Sequence, residues 1–224
     1  MSDLAERYQL VRTQIRHAVS IAGRPANCVQ LLAVSKTKSS SEIANLYRLG
    51  QRHFAENYLQ EALLKQQALA GFNISWHFIG PIQSNKTKAI ASHFAWVHSV
   101  DRLKIAQRLS EQRPDYLPPL KICLQVNISD EHSKSGIALA ELPELVNEVS
   151  LLPGLCLRGV MAIPEPVENY HQQRQPYRLL YQAVQALQNP QLDTFSFGMS
   201  ADLKAAIMEG ATMVRIGTAL FGPR

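Results

Sequence analysis

Charge is sparse in this sequence. Asp, Glu, Lys and Arg make up only 18% of its 224 residues, against 46% apolar residues. That balance excludes a disordered chain, which needs low hydrophobicity and high net charge. Cysteine is rarer still: Cys28, Cys123 and Cys156 are odd in number, lie far apart and form no C-x-x-C pair. A disulfide framework is therefore not expected, and the three read as buried thiols of a reducing compartment. No apolar run approaches the ~20 residues of a membrane span. The opening MSDLAERYQLVRTQIRHAV carries charges throughout and lacks the apolar stretch of a signal peptide, so a cytoplasmic location is expected. Aromatics are few, at 7%, and the net charge of +5 is spread thinly. Nucleic-acid surfaces concentrate basic residues, often with aromatics between them. Here the densest groups are Lys36/Lys38, Lys86/Lys88 and Arg102/Lys104/Arg108. A small anion suits this composition, and neither a nucleic acid nor a membrane is an expected partner.

What is present is an alternation. Short β-rich apolar runs occur at 31–36, 52–57, 74–80, 95–100, 120–128, 155–163, 194–198 and 213–218. Between them lie helical patterns at 58–70, 85–94, 102–112, 142–151, 170–187 and 201–209. Another begins at Ser39, where Ser39-Ser40-Ser41-Glu42 has the form of a capping box and Gly50 closes the helix. Residues 4–21 form an additional N-terminal helix. Strands alternating with helices imply parallel pairing and right-handed crossovers. Eight units fit a closed (β/α)8 barrel, with an open doubly wound sheet as the alternative. The chain runs only six residues past Thr218, so one barrel spanning 1–224 is expected, without a second domain.

In a barrel the chemistry sits at the C-terminal strand ends. Leu32, Val34 and Lys36 alternate onto one face. If that face is the interior, desolvation disfavours the Lys36 ammonium and makes the amine a nucleophile suited to a carbonyl compound. The alternative is a strand-end lysine that reaches solvent. Asn57 offers a donor and acceptors at the second strand end, or else caps the following helix. His77 reads as a hydrogen-bonded core histidine rather than a catalytic one, and no His, Asp or Glu spacing resembles a metal site. Lys134, in the polar loop SDEHSKSG, reads as a solvated charge. Met161 should pack against whatever occupies the mouth. The seventh strand runs into Gly198-Met199-Ser200-Ala201-Asp202, with Ser200 expected as the next N-cap. The eighth gives Arg215-Ile216-Gly217-Thr218. Two such turns side by side match the usual barrel phosphate site, the alternative being two glycine-terminated turns with no ligand. An inward Arg215 needs an acceptor, because an unpaired buried charge is costly. A lysine facing a phosphate cradle suits a phosphorylated aldehyde, whether pyridoxal 5′-phosphate or a sugar phosphate.

The segments LLAVSKTK (31–38), FAENYLQE (54–61), WHFIGPIQSNK (76–86), SKSGI (133–137), GVMAI (159–163), FGMSADLKAAI (197–207) and VRIGTALFG (214–222) closely resemble the YggS family, the pyridoxal phosphate homeostasis proteins. The resemblance covers nearly the whole chain in order. It implies a barrel like the N-terminal domain of alanine racemase, with pyridoxal phosphate held as an aldimine on Lys36. It further implies that Ser200, Gly217 and Thr218 hold the phosphate, Arg215 lies near the pyridine nitrogen, and Asn57 and Met161 line the ring. The implied role is a regulator or carrier of the cofactor without established turnover, affecting amino-acid and keto-acid balance. A monomer is expected because the second, dimerising domain of the racemases is missing, and the mouth this leaves open suits exchange of the cofactor with apoenzymes. The alternatives are an amino-acid racemase or related enzyme using the same cofactor and, more distantly, a cofactor-free Schiff-base aldolase.

Overall fold

The computed structural model describes residues 2–129 and 135–222. Among these, eight parallel strands close into a barrel in sequence order. They are β1 (Gln30–Val34), β2 (His53–Glu56), β3 (Ser75–Phe78), β4 (Trp96–Val100), β5 (Leu120–Gln125), β6 (Leu155–Met161), β7 (Thr194–Ser196) and β8 (Met213–Ile216). The expected closed barrel is therefore the fold, and the open sheet is excluded by direct β1–β8 pairing, with Leu32 opposite Arg215 and Ala33 opposite Ile216. Every strand but β4 stops short of its apolar run at the C-terminal side. The trailing residues, Lys36 and Asn57 among them, lie in the loops of the mouth.

The outer ring consists of α1 (Ser2–Ile21), α2 (Ser40–Arg48), α3 (Leu59–Ala68), α4 (Thr87–His93), α5 (Leu103–Glu111), α6 (Leu142–Ser150), α7 (Tyr170–Ala186), α8 (Leu203–Met208) and α9 (Thr218–Phe221). The α2 capping box forms as expected. Ser39 Oγ accepts from Glu42 N, while the Glu42 carboxylate accepts from Ser39 N at 2.8 Å. In α1, Tyr8, Val11, Ile15, Ala18 and Val19 recur at helical spacing and are buried. That face packs on α8 and α9, and Arg7 donates to the Leu220 carbonyl at 3.0 Å.

Strand alternation sorts the core into two shells. Leu31, Ala33, Val214 and Ile216 join the helices in one large apolar cluster. Burying each such side chain contributes roughly 1.5–3 kcal/mol. Inside the barrel, Leu32, Val34 and Ala55 form one small cluster, and Trp96, Cys123, Met161 and Met213 form another. Cys123 is buried, but Cys28 and Cys156 are only half-buried, which corrects the expectation of three buried thiols.

Candidate functional site

The mouth is built around the seam where β8 meets β1. Beyond β1, Ser35 N still donates to the Ala55 carbonyl at 3.0 Å, and Lys36 and Thr37 then form a tight turn. Thr37 adopts φ 65°, an unusual conformation for a β-branched residue. A buried network over-determines this turn. Lys65 Nζ, from α3, donates to the Ser35 carbonyl at 2.7 Å, to Glu56 Oε1 at 2.8 Å and to Glu61 Oε1 at 2.5 Å. Ser35 Oγ donates to Glu56 Oε1 at 2.6 Å, and Thr37 N donates to Glu61 Oε1 at 2.6 Å. Burial raises the Glu56 carboxyl above its ordinary range, against the opposing pull of the Lys65 and Ser35 hydrogen bonds. Sequence reasoning passed over Lys65 and Glu61. Their spacing of four on α3 was the available signal.

Lys36 is half-buried beside this network, as is Asn57 on the neighbouring loop. Asn57 is not the cap of α3: Tyr58 holds that position, and no side chain caps the helix. Its Oδ1 is buried with no partner among the described residues. A polar atom in that state has a free acceptor for a ligand. Gly80 lets the backbone of Asn57 sit there, since a Cβ at that position would lie 2.0 Å from the Asn57 carbonyl oxygen.

Across the seam, Arg215 is buried and faces inward. Its Nη2 donates to the Ala162 carbonyl at 3.0 Å, and its Nη1 donates to Ser196 Oγ at 2.9 Å and to the Ser196 carbonyl. The acceptor that the sequence demanded for this cation is thus the barrel itself. Gly217 then starts α9 and Thr218 is its first residue, exposed at the rim. Ser200 is exposed in the adjoining turn but does not cap α8. Asp202 occupies the cap position, and its carboxylate accepts from Met199 N at 2.6 Å and from the Tyr177 hydroxyl at 2.6 Å. Neither side chain bonds an N–H of the first turn of α8. Burial, then Asp202, pushes the Tyr177 hydroxyl up. Met161 packs with Trp96, Cys123 and Met213 in the interior and is almost fully buried. Lys134 lies outside the described residues.

Below Arg215 a polar chain crosses the barrel. Ser196 Oγ lies 2.8 Å from His98 Nδ1, His98 Nε2 lies 2.9 Å from His77 Nδ1, and His77 Nε2 lies 3.0 Å from His53 Nδ1. A guanidinium only donates. Ser196 Oγ therefore accepts from Arg215 and passes its own proton towards His98 Nδ1, so that each imidazole donates from Nε2 to the next. Burial is the main reason why these rings stay neutral. It pushes His98 down to about 3, helped by the Arg215 charge, and holds His77 well below the ordinary range. His77 is the hydrogen-bonded core residue that its sequence position suggested. His98 and Ser196 carried no comparable signal, because their partners lie on distant strands.

The family model for the alanine racemase N-terminal domain matches residues 10–224. The chain is 59% identical over 224 residues to the pyridoxal phosphate homeostasis protein of Pseudomonas aeruginosa, covering 100% of this chain and 97% of that one. The chain belongs to the pyridoxal phosphate homeostasis protein family. The Escherichia coli K12 member is 52% identical, with 100% of this chain and 98% of that one covered. PipY of Synechococcus elongatus, solved with PLP bound, superposes with a TM-score of 0.85 at 36% identity, covering 98% of this chain and 100% of that chain. The fold of this family member is thus the alanine racemase-like TIM barrel. No described helix is long and apolar enough to cross a membrane.

Proposed function

We propose that this protein binds pyridoxal 5′-phosphate at the C-terminal mouth of the barrel and serves in homeostasis of that cofactor. The observation that carries this reading is the β8–β1 closure. It sets the Lys36 turn beside the Gly217–Thr218 turn, although 181 residues separate Lys36 from Gly217 in the sequence. Membership of a family whose curated members are named pyridoxal phosphate homeostasis proteins supports it.

In this reading Lys36 supplies the amine that engages the cofactor aldehyde, and the Glu56–Lys65–Glu61 network fixes the turn that presents it. Ser200, Gly217 and Thr218 hold the phosphate through hydroxyls and the N–H groups that a helix start leaves unpaired. Asn57, with its unpartnered Oδ1, and Met161 would line the ring, and Arg215 would donate to the ring nitrogen. Bound pyridoxal phosphate supplies an electron sink, strongest when its ring nitrogen is protonated. Arg215 can donate a hydrogen bond but cannot surrender a proton. Its Nη1 is committed to Ser196, so the donors left for the ring lie on Nη2 and Nε, and a hydrogen bond from them without proton transfer restrains that sink. Holding the cofactor for apoenzymes, as a cytoplasmic monomer without substantial turnover of its own, is the role that follows.

The purified protein should absorb visible light, and Lys36→Ala should lose that band while melting near the wild-type temperature. Borohydride reduction and peptide mapping should place a pyridoxyl group on Lys36. A pyridoxyl group on another lysine, with Lys36 unmodified, would sink the assignment.

A further inference from the structure

The opposite end of the barrel carries a second concave feature. A cavity of about 570 Å³ opens between α1 and the N-terminal ends of β1 and β2. That size falls within the range of small-molecule sites. Four arginines line it, Arg12, Arg16, Arg24 and Arg52, together with His53, and its described lining contains no Asp or Glu.

Several arginines elsewhere on the barrel are neutralised by carboxylates. Arg174 and Arg178 pair with Glu209, and Arg158 pairs with Asp193. Among the described residues, none of the four cavity arginines meets a carboxylate. Arg12 meets Tyr8, through its hydroxyl at 3.5 Å and over its ring, and Arg16 meets the Thr13 hydroxyl at 3.0 Å. Arg52 lies over the Tyr47 ring and donates from Nη1 alone, to the Tyr47 and Gln51 carbonyls. Arg24 is structural, with Nη1 on the Ile207 and Ala211 carbonyls. Each guanidinium has five donors, so most of those on Arg12, Arg16 and Arg52 are uncommitted. Like charges gathered around one concavity raise a local potential that draws an anion.

The floor sharpens the ligand class. Gln51 Nε2 donates to the Leu31 and His53 carbonyls, and Gln51 Oε1 accepts from Tyr8. The floor's own polar groups are therefore satisfied. Ile15, Val19 and Val29 supply apolar wall. His53 spends Nδ1 on His77, which leaves Nε2 as the ring's remaining nitrogen.

We propose that this cavity is a second anion site, taking a small organic phosphate whose phosphate lies on the Arg12, Arg16 and Arg52 forks and His53, and whose apolar body lies on Ile15, Val19 and Val29. Guanidinium forks match phosphate oxygens bidentately. The site goes beyond the cofactor site at the mouth and is independent of it. It lies at the other end of the strands, roughly 15 Å away for five residues at ~3.3 Å each.

The test titrates phenyl phosphate into the protein as purified, followed by calorimetry and by imidazole NMR. Saturable one-to-one binding that shifts the His53 resonances is expected. The double variant Arg12→Glu/Arg16→Glu should weaken it by at least about tenfold, since charge-assisted bonds become repulsions, while visible absorbance at the mouth stays unchanged. Arg12→Gln/Arg16→Gln, which carries no new charge, should show an intermediate loss. Ser200→Ala and Thr218→Val should not alter phenyl phosphate binding. Three results would overturn the proposal: no saturable binding, binding insensitive to both arginine pairs but lost in Ser200→Ala or Thr218→Val, or inorganic phosphate binding as tightly as phenyl phosphate.

Discussion

Acidification should unfold this protein partly through its interior histidines, and His98 allows the size of the effect to be worked out. His98 is fully buried between His77 and Ser196. Its folded-state value lies at about 3, against 6.5 for a free imidazole. A group whose folded value is depressed contributes stability that is intact above the unfolded value. That stability is lost as pH falls towards the folded value. Between about pH 7.5 and pH 5 the unfolded chain takes up a proton at this site and the folded chain does not. The linkage integral over that interval is about 2 kcal/mol, and any folded value below about 4 gives nearly the same figure. His77, depressed by burial first and by its histidine neighbours next, adds a loss of the same sign. Glu56 acts oppositely, since its raised value favours the folded state on protonation. That contribution is common to wild type and variant, so it cancels. Urea unfolding at the two pH values should therefore show His98→Gln losing about 2 kcal/mol less than wild type on acidification. The variant's absolute stability is irrelevant to this difference. Equal losses in the two proteins would refute the argument that a buried neutral imidazole at this position carries the acid sensitivity.

With Ser200 and Thr218 holding the phosphate as proposed, Ser200→Ala and Thr218→Val each remove a hydroxyl donor to a charged acceptor, a bond of ~1.5–3 kcal/mol, and should weaken pyridoxal phosphate binding roughly ten- to a hundredfold. Pyridoxal without its phosphate, titrated in parallel, should be nearly indifferent to both changes. Lys65→Met strands the Glu56 carboxylate inside the protein and should cost about 3–5 kcal/mol in chemical denaturation, with Glu56→Gln/Lys65→Met recovering part of that loss. The wild-type protein, assayed against a panel of D- and L-amino acids, should show turnover well below ~1 per second, and a rate in that ordinary enzyme range would favour a racemase-like activity instead.

The eight strands, the α2 capping box and the interior position of Arg215 were legible in the sequence, because each depends on local periodicity or on the cost of burying a charge. Lys36 and Asn57 were legible as strand-end residues, because strand order alone places them at the mouth. Tertiary structure decided the rest. Closure of β8 onto β1 brings two distant loops side by side, and a periodic pattern is compatible with an open sheet until that pairing forms. Ser200 and Asp202 are both N-cap residue types only two positions apart. Asp202 takes the cap position, but its carboxylate turns to Met199 N and to the Tyr177 hydroxyl from α7, so no side chain caps α8. His98 and Ser196 are 98 residues apart, and Glu56, Lys65 and Ser35 come from β2, α3 and the loop after β1. A buried polar side chain is stable only with its partner, and that partner is fixed by the barrel's register, which no short stretch of sequence encodes. The arginine-lined cavity has the same origin. On α1 alone, Arg12 and Arg16 are an ordinary solvated face, and they enclose a space only when the helix packs across the N-terminal ends of β1 and β2.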